Sequence, residues 1–262
     1  MRDVSFETIR QSHAVFRPIV KGYFRSEVRG LGRIPASQCL IVTHHDGGIL
    51  PINGLCFGAA WYEHFDFARP LYVLAHDLIH RVFSPFTDLL PRSGVVPADR
   101  HVMDRVLQAG HSVLVFPGAA RESFRPYWER KQIDLGGRVG FVRQAMRHRI
   151  PIVPLVSAGG HETMFVLSRG TRLARWLRVK SLVRSGDVLP ILAGLPWGVW
   201  ALPVLPQFPL PAKITSEVLT PIELSGDPDR PEDVAAGFLQ VIEPMQRTLE
   251  RLYAERSLPI WG

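Results

Sequence analysis

Four short runs of apolar, largely β-branched residues punctuate the chain: Cys39–Thr43, Leu71–Ala75, Ser112–Phe116 and Ile152–Val156. Between them lie amphipathic stretches at about 53–65, 76–90, 99–109 and 135–148, with Asp99 placed to cap the third. Strands that are apolar at every position, not at alternate ones, must be covered on both faces. Helices between consecutive strands supply that cover. The pattern predicts an α/β fold with a mostly parallel central sheet flanked by helices, as a single domain over residues 1–262.

The flanking regions are read as follows. Phe6, Ile9, Phe16, Ile19, Val20 and Phe24 share one face of a predicted helix over 5–24, ringed by Arg10, Arg17, Lys21 and Arg25. Such a helix can lie on a membrane or pack on the core. A second helix is expected over 161–178, with Arg169, Arg172, Arg175 and Arg178 clustered late. Then comes an uncharged segment, 188–211, holding Pro190, Pro196, Pro203, Pro206, Pro209 and Pro211. Prolines at that density forbid a lipid-exposed spanning helix and leave an interfacial or groove-covering role. A strand at Lys213–Leu219, a linker at Ser225–Asp229 and an amphipathic helix over about 231–255 complete the chain. Residues 1–12 carry charges and no apolar stretch of the secretory type.

Composition narrows the function. With 46% apolar and 21% charged residues the chain can build a large core. Its two cysteines, Cys39 and Cys56, exclude a disulfide scaffold and cysteine-rich metal sites. The net charge of +7 favours an anionic partner. No basic groove with interleaved aromatics is present, so the anionic face of a membrane is favoured over nucleic acid. There is no G-x-S-x-G, no Walker A loop and no G-x-G-x-x-G. His161-Glu162 opens like a zinc-protease motif, but Phe165 stands where its second histidine belongs. His76 and His80 have metal-compatible spacing without an evident third ligand, so no metal and no cofactor are expected.

Three strands end in groups suited to a crevice at the carboxyl end of the sheet. The first runs into Thr43-His44-His45-Asp46-Gly47-Gly48, the second into Phe116-Pro117-Gly118-Ala119-Ala120-Arg121-Glu122, and the third into Ser157-Ala158-Gly159-Gly160. With Gly94 and Arg100 between the first two, this set resembles the four ordered motifs of the glycerolipid and lysophospholipid acyltransferases over about residues 25–225. His45 matches the motif histidine, with His44 in the asparagine position. Phe116, Pro117 and Arg121 match F-P-E-G-T-R, and Ile150–Pro154 matches the V-P-I-V-P strand.

Two departures point toward the diacylglycerol-acyltransferase-like branch. Leu50 replaces the aspartate five residues after His45, and Asn53 takes the slot of the acid in a P-x-D version of the motif. Gly118 replaces the motif glutamate, and Glu122 follows Arg121.

The resemblance implies acyl transfer from acyl-CoA, or an acyl carrier protein as co-substrate, to a lipid hydroxyl at the cytoplasmic face of a membrane. His45 is expected as general base, since an imidazole fits that task without tuning. Asp46 and Asn53 are the local groups that could orient it. Arg100, Gly118, Arg121 and Glu122 are the expected substrate-binding residues, with Glu122 set to neutralise Arg121 against a phosphate. The turns Gly47-Gly48 and Gly118–Ala120 offer oxyanion donors. Two alternatives stay open: a phosphorylated acceptor such as lysophosphatidate, and a catalytically silent lipid-binding homologue.

Overall fold

The computed structural model describes residues 4–48, 50–76, 79, 89–177, 188–201, 208–258 and 260–262. Among them, seven strands form one sheet in the order β1-β10-β6-β2-β5-β3-β4. These are β1 (Glu27–Arg29), β2 (Leu40–Thr43), β3 (Leu71–Ala75), β4 (Val95–Pro97), β5 (Ser112–Val115), β6 (Ile152–Ala158) and β10 (Thr215–Val218). β6, β2, β5, β3 and β4 run parallel, and β10 pairs antiparallel with β6. In register, Leu40 faces Val113 on one side and Ile152 on the other, so β2 is the central strand.

The continuous apolar run in β2 has the physical cause the sequence suggests. Leu40 and Val42 enter a core under α4 (Arg100–Gln108), α6 (Gly140–His148) and α8 (Pro231–Ala254), while Ile41 enters the opposite core with Phe57 and Trp61. Alternate side chains thus feed two helical layers. Phe57 and Trp61 belong to α2 (Ile52–His64), and Ile9 of α1 (Phe6–Pro18) joins them. The short α3 (Leu89–Arg92) precedes β4. Asp99 caps α4 as expected, accepting from the His101 and Val102 N–H groups at 2.8 and 3.1 Å. α8 lies close on α6: a side chain at Gly237 would come within 2.9 Å of Val142 Cγ1.

Two expectations change. The first helix stops at Pro18, and the chain continues to Tyr23 as a short π-helix. The helix expected over 161–178 is instead a 3-10 turn at Gly160–Glu162, β7 (Phe165–Ser168) and α7 (Thr171–Trp176). Gly170, at φ +60°, breaks it, and a side chain there would run into the Leu189 carbonyl. The proline-rich segment contributes β8 (Ile191–Gly194) and β9 (Gly198–Ala201), which form a three-stranded antiparallel sheet with β7. Prolines suit the turns and edges of such a sheet. Of the helix expected at 76–90, residues 77, 78 and 80–88 lie outside the described residues, and His80 with them. No described helix is long and apolar enough to cross a membrane.

Candidate active site

The site forms where β2 ends. His44 and His45 follow Thr43 directly, and the chain then turns through Asp46, Gly47 and Gly48 before α2 begins. Gly47 and Gly48 have φ of +114° and +81°, a region unfavourable to side chains. A Cβ on Gly48 would also overlap Met164 of the neighbouring loop.

The backbone of His45 is held from three directions. Its N–H donates to Glu122 Oε2 at 3.1 Å. Its carbonyl accepts from Arg125 Nη2 at 3.2 Å and from His44 Nδ1 at 3.2 Å. His44 Nε2 accepts from the Ser157 N–H at 3.1 Å, which fixes the Nδ1–H tautomer. His44 is therefore a buried strut between β2 and β6. Burial, then the nearby Arg125 charge, push its pKa down to about 3.

The His45 ring stacks on Phe116 with centroids 4.7 Å apart, and Gly54 of α2 leaves room for that phenyl ring. His45 as a residue is partly exposed, but its Nδ1 is buried and has no hydrogen-bond partner among the described residues. Enclosure of the ring, then the neighbouring His44, Arg125, His76 and Arg138, push its pKa down to about 3. The imidazole is consequently neutral, with a free lone pair, throughout the physiological range.

Neither residue proposed to orient the ring contacts it. Asn53 is fully buried and donates from Nδ2 to the His44 carbonyl at 2.7 Å, while its Oδ1 accepts from the Gly54 N–H. It ties the start of α2 to the end of β2. Asp46 turns inward against Gly160, and neither of its oxygens has a hydrogen-bond partner among the described residues. Burial pushes its carboxyl up to about 8.

The third motif departs most from expectation. Glu122 does not neutralise Arg121. It is wholly buried and pairs inward with the equally buried Arg125 at 3.4 Å, so it is not positioned to meet an acceptor. Gly118 makes this possible, because a Cβ at that position would overlap the Glu122 side chain. The glycine and the displaced glutamate are one compensated change. Arg121 turns outward, 65% exposed, and pairs with Asp134 at 3.1 Å. Arg100 is exposed at the start of α4. In sheet order it stands three strands from β2, on the order of 14 Å at ordinary strand spacing.

Some contributors were not singled out from sequence. Arg125 is one; its inward turn after the five-residue α5 (Ala119–Ser123) has no local signal. Arg138, which donates to the Pro117 carbonyl at 3.1 Å, adds positive potential near His45. Cys56 is buried in the helix core, its thiol pushed up to about 12, and is unsuited to act as a nucleophile. Among the described residues no cluster could hold a metal ion.

A family model described as Acyltransferase matches residues 25–158, just over half of the chain. The chain belongs to the acyltransferase family. It is 29% identical over 266 residues to an uncharacterized protein of Mycobacterium tuberculosis H37Rv, covering 95% of this chain and 68% of that one. The bovine DGAT1/2-independent enzyme synthesizing storage lipids is 32% identical over 155 residues, covering 59% of this chain and 44% of that protein. Human diacylglycerol O-acyltransferase 2 is 26% identical over 170 residues, covering 61% and 43%. The match thus spans less than half the length of these two mammalian proteins. The crystal structure of the 1-acyl-sn-glycerophosphate acyltransferase PlsC from Thermotoga maritima shares the fold, with a TM-score of 0.53, 16% identity and coverage of 95% of this chain and 84% of that one. The acyltransferase motifs read from sequence fall inside the family match up to β6, and this chain is an acyltransferase.

Proposed function

We propose that this acyltransferase moves a fatty acyl group from a thioester, acyl-CoA or acyl carrier protein, to the hydroxyl of an uncharged glycerolipid, with His45 as general base. His45 accepts the acceptor's proton as the hydroxyl oxygen attacks the thioester carbonyl. The tetrahedral oxyanion then collapses, the ester remains on the acceptor, and the departing thiolate takes up the proton. The observation that carries this reading is the place of His45 at the end of the central parallel strand, beside the third-motif turn and with no hydrogen bond to its Nδ1 among the described residues.

The oxyanion donors narrow under the same reading. Gly48 already gives its N–H to the Ser123 carbonyl at 2.8 Å, and Ala119 donates to Phe116. Gly47, Gly118 and Ala120 are the amides we assign to this role. Arg138 gives the surroundings of His45 a positive potential suited to a phosphate-bearing donor.

An uncharged acceptor is supported by the Arg121–Asp134 pair. A guanidinium already matched by a carboxylate has less to offer a phosphomonoester. The similarity to storage-lipid and diacylglycerol acyltransferases agrees with it.

We also assign the protein to the cytoplasmic face of a membrane, as a peripheral enzyme. Several large apolar side chains are exposed: Ile19 and Tyr23 from the π-helix, Leu50, and Leu195 and Phe208 beside the small sheet. Tyr23, Leu195 and Phe208 belong to one linked patch, since Tyr23 donates to the Pro209 carbonyl at 2.6 Å and the Phe208 N–H donates to the Leu195 carbonyl. Apolar insertion and the net charge of +7 would act together on an anionic surface. Cosedimentation with anionic vesicles tests this. Leu195→Ser with Phe208→Ser should reduce the bound fraction, and a wild-type protein wholly in the supernatant at low salt would refute it.

Purified protein, acyl-CoA and a panel of acceptors test the reaction. Monoacylglycerol or diacylglycerol should be acylated. Preference for lysophosphatidate would establish the phosphorylated-acceptor alternative, and no turnover with any acceptor would favour the silent lipid-binding one.

A further inference from the structure

We infer that Glu122 and Arg125 form a positioning pair that fixes His45 through its backbone, in place of a carboxylate acting on the ring. This rests on His45 being the base. Its ground is geometric. The position five residues after His45 holds Leu50, so the acid of that motif is missing, and neither Asp46 nor Asn53 contacts the imidazole. The ring is left to van der Waals contact with Phe116, so its place depends on where the His45 backbone is held.

Both partners of that hold come from one turn after β5. Glu122 Oε2 takes the His45 N–H at 3.1 Å, and Arg125 Nη2 gives to the His45 carbonyl at 3.2 Å. Glu122 Oε1 and Arg125 Nη1 close the loop at 3.4 Å, and both side chains are wholly buried. A carboxylate is an acceptor only and a guanidinium a donor only. The pair therefore fits the two ends of one peptide residue, an oxygen for the N–H and a donor for the carbonyl. Burial removes the competing water that would loosen an exposed bridge. The strand β2 is also tied to β5 in the sheet, so the bracket acts on a residue whose neighbour is already fixed. Gly118 is the third member. Its φ of −66° and ψ of −19° suit any residue, so its lack of a side chain is explained by the Glu122 carboxyl occupying that space.

The inference gives Gly118→Ala a specific consequence. The backbone tolerates alanine, but the added methyl must displace Glu122. Gly118→Ala and Glu122→Ala should each lower kcat by about 10²-fold, the scale of an ångström-sized misplacement, with KM changed less than threefold. Glu122→Gln keeps an oxygen acceptor and should recover much of that loss. The double variant Gly118→Ala/Glu122→Ala should be no worse than Glu122→Ala alone. The backbone amide proton of His45, bonded to a carboxylate, should resonate downfield in wild type and move upfield in Glu122→Gln while the remaining spectrum is kept.

Unchanged kcat in folded Gly118→Ala and Glu122→Ala would overturn the inference. So would losses that only track the folded fraction, or a failure of all these variants to fold, since the pair would then be a folding element. His45→Ala separates the two claims. Full activity there would sink the base assignment while leaving the amide signature in place.

Discussion

Two arginine–carboxylate pairs stand within one short stretch, and they differ in almost every physical respect. Glu122 and Arg125 are wholly buried, 3.4 Å apart, and bonded to the backbone of His45. Arg121 and Asp134 are 65% and 31% exposed and 3.1 Å apart. The exposed pair is the shorter one, yet distance is a poor guide to its weight. Water screens it and leaves it worth about 0.2–1 kcal/mol. The buried pair contributes little net stability over an apolar substitute, but removing one partner strands a charge in the core and costs about 3–5 kcal/mol. Adjacent residues, Arg121 and Glu122, thus turn opposite ways: one pairs at the surface, the other pairs in the interior.

The largest effect expected from this contrast is on stability. Glu122→Ala or Arg125→Met should lower unfolding free energy by about 3–5 kcal/mol in urea titrations, whereas Glu122→Met/Arg125→Met together should lose markedly less. A double-variant loss equal to the sum of the two single losses would mean that the pair is not energetically coupled.

The same dry interior acts on His44. Its pKa of about 3 lies below the ordinary 6.5, so between these values the unfolded chain binds a proton that the folded one does not. Stability therefore rises with pH through that window and is lost on acidification below 6.5. His44→Gln, which can still accept from Ser157, should flatten this slope. Between pH 6.5 and 5 the difference is about 2 kcal/mol at most, one proton over that interval. Asp46, raised to about 8, works the other way. Its contribution is full below about 4 and is lost as pH rises through 8, so Asp46→Asn should flatten the alkaline side. Melting temperatures across pH 5–9 for both variants check the two signs.

The exposed pair should give the smallest stability change, within about 1 kcal/mol for Asp134→Ala. Its effect belongs to selectivity. Freeing Arg121 should raise kcat/KM for lysophosphatidate relative to diacylglycerol, and Arg121→Ala should abolish that gain. An unchanged ratio would remove Arg121 from acceptor choice.

The parts legible in sequence are those governed by local pattern. Continuous apolar strands require a double-sided cover, so the parallel sheet followed from Leu40–Val42 and its counterparts. The Asp99 cap and α8 likewise carry their own signals. What escaped depended on contacts distant in sequence. Phe165–Ser168 lies in a stretch whose apolar spacing suits a helix, and it becomes a strand because Ile191–Gly194 pairs with it. Glu122 beside Arg121 invited pairing between neighbours, but the short helix α5 turns one inward and the other out. Arg125 gave no cue, since an arginine three residues after a glutamate is ordinarily a solvated surface pair. His45 stood out because a histidine at the end of an apolar strand, just before a pair of glycines, is itself a local pattern.

The most direct test of the account is a single-turnover acyl-transfer measurement with His45→Ala against wild type, using radiolabelled acyl-CoA and diacylglycerol in mixed micelles. The account predicts ester formation by the wild type, and a loss of about 10²–10⁴-fold in the variant with its fold intact by circular dichroism. Because the His45 imidazole stays neutral, the wild-type rate should also hold to below pH 6. A His45→Ala enzyme that transfers the acyl group at the wild-type rate would contradict it.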